Sequence, residues 1–194
     1  VYLKDPELMV VFDIFKALRE GYYTLATLWH TRQVLAQGEH WYDTVYDRVQ
    51  TAELPRDRHL LVLFPPSHYR FDGVEAEKRN YQDELAIHQM TAQHFELGET
   101  AGFVAVLVPH RAGEDPALWV KRVSLLPVEP ADAALAVKIV AGDRETTVGI
   151  KTDLRRDMSR DWRRPRYTYE AFDGSPDHGG LGKLRYWRDS AAGK

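Results

Sequence analysis

The stretch Leu8-Met9-Val10-Val11-Phe12-Asp13-Ile14-Phe15-Lys16 decides the fold. Side chains alternate across a strand with period two, so Leu8, Val10, Phe12 and Ile14 share one face, while Met9, Val11, Asp13 and Phe15 take the other. Apolar residues on both faces imply a strand covered from both sides. Working outward, Tyr22 to Thr31 comes after Gly21 and sets Tyr23, Leu25, Thr27 and Trp29 opposite Thr24, Ala26, Leu28 and His30. His40 to Val49 alternates again, placing His40, Tyr42, Thr44, Tyr46 and Arg48 on one face. Further strands are expected at His59 to Phe64, closed by Pro65-Pro66, and at Gly102 to Val108, Val120 to Val128, Ala134 to Val140 and Glu145 to Lys151. Ala141-Gly142-Asp143 is a hairpin turn signal between the last two. These segments are short, rich in Val, Ile, Phe, Tyr and Thr, and separated by Gly, Pro and charged clusters.

Helical signals are few. Asp115-Pro116 offers an N-cap and a first-turn proline, but Pro127 and Pro130 limit any helix started there to a few turns. Residues 76–97 are helical by composition, yet the neighbouring strands favour an extended reading. Without helical patterns between strands there is no βαβ signal, so the expectation is an all-β antiparallel β-sandwich with few or no helices. Pro65 to Gly73 is a soft boundary, but the strand pattern resumes beyond it, and residues 1–194 read as a single sandwich domain. The missing initiator Met suggests a piece of a longer or processed chain.

The chain has 194 residues, with Lys+Arg 26 against Asp+Glu 29, so no overall field draws it to nucleic acid or to an anionic membrane. Cys is absent, which excludes disulfides, thiol catalysis and Cys-ligated metal while leaving His and carboxylate sites open. No apolar run approaches the ~18 residues of a spanning helix, and the first residues lack a signal-peptide apolar core. Hydrolase-elbow, phosphate-loop and dinucleotide motifs are missing, and Gly179-Gly180-Leu181-Gly182 reads as a flexible loop.

Val10-Val11-Phe12-Asp13, then Gly21-Tyr22-Tyr23, then Leu28-Trp29-His30-Thr31 resemble the β-sandwich portion of the heparinase II/III-like polysaccharide lyases. The resemblance is clearest over residues 7–65 and weaker at Gly102 to Pro109. It implies a sandwich joined to a helical toroid domain of the same protein, and β-elimination on acidic, uronate-containing polysaccharide. The family's Tyr and His bases and acids come largely from the toroid and from a His-rich segment upstream of the region matched here. The expectation is therefore a chain that forms or supports the substrate cleft, has no catalytic residue of its own and is secreted or periplasmic. The alternative is a non-catalytic carbohydrate-binding or protein-interaction module.

The same resemblance singles out His30, since zinc-containing members place a His at the end of this strand with a His and an Asp from upstream. A neutral imidazole on a rigid strand is a good zinc ligand. A lone His after Leu28 equally suits a hydrogen-bonded core or edge residue. The other histidines, His59 and His110 among them, are scattered and form no motif. His40 and Tyr42 are expected to bind sugar by hydrogen bonding and stacking, against the plainer reading of a half-exposed sheet face. Trp162, Arg163, Arg164, Arg166 and Tyr167 lie where arginines mix with Asp153, Asp157 and Asp161. Arginine suits bidentate recognition of carboxylate or sulfate, and the rings suit sugar stacking. The interleaved Asp residues suit a loop pinned by ion pairs.

Overall fold

The computed structural model describes residues 2–4, 7–45, 57–67, 70–76, 83–128, 134–152, 155–157, 166–168 and 171–172. The chain begins with strands β1 (Tyr2–Lys4), β2 (Glu7–Lys16), β3 (Gly21–Thr31), β4 (Gln33–Gly38) and β5 (Trp41–Val45). Next come β6 (Arg58–Leu63), β7 (Phe71–Ala76), β8 (Leu85–Phe95), β9 (Thr100–Arg111) and, after one 3-10 turn at Pro116–Trp119, β10 (Val123–Leu125). The last are β11 (Ala134–Ala141), β12 (Arg144–Lys151), β13 (Arg155–Asp157), β14 (Arg166–Thr168) and β15 (Ala171–Phe172). No α-helix occurs among the described residues, and no described helix is long and apolar enough to cross a membrane.

Every strand pairing among the described residues is antiparallel, as expected. A six-stranded sheet runs β1-β2-β9-β6-β5-β4, a four-stranded one β10-β11-β12-β15, a three-stranded one β3-β8-β7, and β13 pairs with β14. Alternation along the six-stranded sheet divides its side chains between two cores. On one face Leu8, Val10, Leu61, Leu63, Val104, Val106 and Val108 pack with Val123, Val137, Ile139 and Val148 of the four-stranded sheet. On the other, Tyr42, Val62 and Ala105 pack with Ile87 of β8, with Trp29 and Val74 alongside. The six-stranded sheet is thus the middle of three β layers, which is why β2 and β9 are apolar on both sides.

Two expectations change. Of the strand expected at His40 to Val49, β5 forms Trp41–Val45 and residues 46–49 lie outside the described residues; His40 sits in the turn before β5 with φ +64°, a conformation in which His is tolerated better than most residues. Val120 to Val128 shortens to β10, because Pro116–Trp119 forms a 3-10 turn capped by the Asp115 carboxylate, which accepts from the Ala117 N–H. Trp119 and Val120 reach the main core from that turn and not from a strand. Within residues 76–97 the extended reading holds over β8, an 11-residue strand. The hairpin at residues 141–143 forms as expected, with Gly142 at φ +61°.

Candidate functional site

Two polar clusters lie on opposite faces of the middle sheet. The first joins three neighbouring strands. Asp43 pairs with Leu61, Leu61 with Val108, and His59 with His110, so one diagonal step brings the carboxylate beside both imidazoles. His110 Nε2 lies 2.9 Å from Asp43 Oδ1, and His59 Nδ1 lies 3.2 Å from Asp43 Oδ2. Asp43 and His110 are buried and His59 nearly so, with the two rings edge to face at 5.4 Å. One ligand atom from each residue lies within 4.8 Å of the others, a spacing that could hold a metal ion.

The donor set fits a metal in a further respect. His110 Nδ1 lies 3.1 Å from the Arg111 carbonyl and Nε2 lies 2.9 Å from Asp43 Oδ1; both oxygens only accept, and the tautomer that donates from Nδ1 to the carbonyl is the one that would leave Nε2 free to ligate a metal. Ligating histidines are commonly fixed in this way by a carbonyl on their other nitrogen. Two imidazoles and one carboxylate favour a nitrogen-preferring divalent ion over calcium or magnesium, which prefer all-oxygen sites.

The second cluster spans the middle and three-stranded sheets. Asp72 of β7 is buried, with one carboxylate oxygen on each partner: His40 Nδ1 at 2.5 Å and the Tyr42 hydroxyl, which donates at 2.6 Å. Burial, then the hydrogen bond and the negative charge of Asp72, push the Tyr42 phenol well above the usual tyrosine range. His40 is a quarter exposed, and its Nε2 lies 3.6 Å from the exposed Glu39 carboxylate, so this ring nitrogen is directed outward. The turn is tight, because a Cβ at Gly38 would fall 2.3 Å from the Trp41 indole nitrogen. Nearby, Arg70 donates to the Gly102 carbonyl at 2.8 Å and lies over the Phe103 ring at 4.8 Å, and burial lowers its pKa.

His40 and Tyr42 are therefore brought together, through Asp72, while His30 stands apart on β3 with its Nδ1 3.8 Å from Glu84. His30 is not among the three residues that converge as potential ligands. Of the arginine-rich segment, β13 and β14 pair Arg156 with Tyr167 and Asp157 with Arg166, while Trp162, Arg163 and Arg164 lie outside the described residues. Asp43, Asp72, His59 and His110 were not legible as site residues, since Asp43 and His110 are 67 positions apart and meet only through strand register. Comparison with family models, curated proteins and solved structures finds no match for this chain.

Proposed function

We propose that this chain is the β-sandwich portion of a heparinase II/III-like polysaccharide lyase, forming or supporting one wall of a cleft for acidic, uronate-containing polysaccharide. The observation that carries this reading is His40. Its ring is fixed by Asp72 and its second nitrogen turned outward, where it can accept from a sugar hydroxyl or, when protonated, donate to a carboxylate. Tyr42 and Asp72 hold that ring in place, and Arg163, Arg164 and Arg166, with Trp162 and Tyr167, supply charge and stacking surface from another segment. The toroid of the lyase would carry the elimination chemistry, so this chain binds without turnover.

A metal centre is the second part of this reading, favoured by the convergence of Asp43, His59 and His110. Zinc is the ion that best suits two nitrogens and one carboxylate. Held among buried side chains, it would fasten three strands of the middle sheet and not act on substrate.

The test uses the full chain on immobilised heparin and alginate. His40→Ala is expected to elute at several-fold lower salt than the wild type, and Arg163→Ala with Arg164→Ala lower again, because charge-assisted contacts are screened by salt. Incubation with heparin, heparan sulfate or alginate should yield no unsaturated-uronate absorbance. Unchanged elution of all variants overturns the glycan wall, and sustained turnover overturns the assignment of chemistry to a separate domain.

A further inference from the structure

We infer that the edge of β3 away from β8, unpaired among the described residues, is a pairing surface for a second copy of this chain. Strand β3, Gly-Tyr-Tyr-Thr-Leu-Ala-Thr-Leu-Trp-His-Thr, is 11 residues long and contains no Asp, Glu, Lys, Arg or Pro. Among the described residues it hydrogen-bonds to β8 on one side and to no strand on the other. Such an edge presents a row of main-chain donors and acceptors, and proteins normally blunt it by shortness, charge, proline or a bulge.

The other described sheet edges carry those devices. Strands β1, β10, β13 and β14 have 3 residues each and β15 has 2. β4 has 6 residues and a register shift between Val34 and Ala36. β7 has 6 and includes Asp72 and Glu75. β3 combines length with a complete lack of charge, which leaves it suited to adding a strand.

The sequence of β3 also says which strand fits. Antiparallel pairing of β3 with itself about Ala26 sets Tyr22 against the partner's His30, Thr24 against the partner's Leu28, and Ala26 against its own copy on the outer face. The inner face sets Tyr23 against the partner's Trp29 and Leu25 against the partner's Thr27. No like charges meet, and the smallest outer side chain lies on the two-fold axis, where two copies approach most closely. Tyr22 is 85% and Leu28 54% exposed, and both gain a cross-strand neighbour. The contact is self-complementary, as a two-fold dimer requires, and joins two three-stranded sheets into one of six strands.

The test is the mass of the full chain by sedimentation at micromolar concentration, expected at about twice 22.4 kDa. Ala26→Lys and Ala26→Glu should each sediment as monomers with unchanged circular dichroism, and their mixture should regain the dimer, since opposite charges then face each other. The chain has no cysteine, so Ala26→Cys is expected to form a covalent dimer on mild oxidation, whereas Leu97→Cys, in an exposed turn, is not. A monomeric wild type overturns the proposal, as does a dimer that persists in both charged variants. Should those variants unfold, the wild-type mass and the Ala26→Cys cross-link decide the question.

Discussion

Asp72 organises its cluster by dividing its two carboxylate oxygens between His40 and Tyr42, so neither partner can be lost without leaving an oxygen short of a donor. The folded state holds the Tyr42 proton more tightly than the unfolded chain does, because burial and Asp72 both disfavour the phenolate. Its contribution to stability is therefore complete below the unfolded value of about pH 10 and is lost as pH rises from there towards the folded value. Thermal unfolding of the wild type should fall more steeply with pH above about 10 than that of Tyr42→Phe, which has no proton to lose. At neutral pH the variant should be less stable by ~1–3 kcal/mol, the cost of leaving a buried carboxylate oxygen without its donor. Parallel pH profiles for the two proteins would show that the bond to Asp72 does not contribute to stability.

Strand β9 shows how element and layer depend on each other. It lies between β2 and β6, with Val104, Val106 and Val108 on the face towards the four-stranded sheet and Ala105 on the other. Gly102 continues the first face, and a Cβ there would lie 2.1 Å from Leu135 Cδ1 of β11, so the close approach of the two layers at that point needs a residue without a side chain. Gly102→Ala is expected to cost ~1–3 kcal/mol, the usual range for overpacking. Leu135→Ala in the same chain should recover part of that loss, and strict additivity of the two changes in denaturant unfolding would rule out their contact as the cause. Short apolar runs rich in β-branched and aromatic residues and bounded by Gly, Pro and charged clusters made β2, β3, β6, β9, β11 and β12 legible in the sequence. That pattern could not separate Val120 from a strand, since an apolar residue that reaches the core from the end of a 3-10 turn leaves the same mark. Nor could it show that His40 lies in a turn, where tight packing of Trp41 over Gly38 sets the backbone. Pro109 hid the full reach of β9, yet it is accommodated because the ladder with β2 covers residues 100–107 and ends at Leu107.

At the scale of the molecule, the Asp43, His59 and His110 group ties together β5, β6 and β9, which are adjacent in the middle layer although far apart along the chain. Alternation shows which face a residue takes but not which strand lies next to it, so no spacing in the sequence could have pointed to this group. A metal held there binds the folded state and not the separated strands of the unfolded chain, so it stabilises by mass action, ~2.7 kcal/mol at a free concentration a hundred times Kd. For a chain of this size each kcal/mol shifts Tm by about 2–4 °C, which gives an expected rise of roughly 5–10 °C with zinc and little with magnesium or calcium. His59→Asn should abolish the rise, whereas His30→Ala should retain it, because His30 lies on β3 beside Glu84, in another layer. Cobalt offers a readout that does not depend on melting, since an ion held by two nitrogens and one carboxylate, with water as a fourth ligand, should give the wild type a visible absorption that His59→Asn loses. A rise lost in His30→Ala and kept in His59→Asn would move the metal to the strand-end histidine, and no rise with any ion would leave Asp43, His59 and His110 as a buried hydrogen-bonded staple between strands.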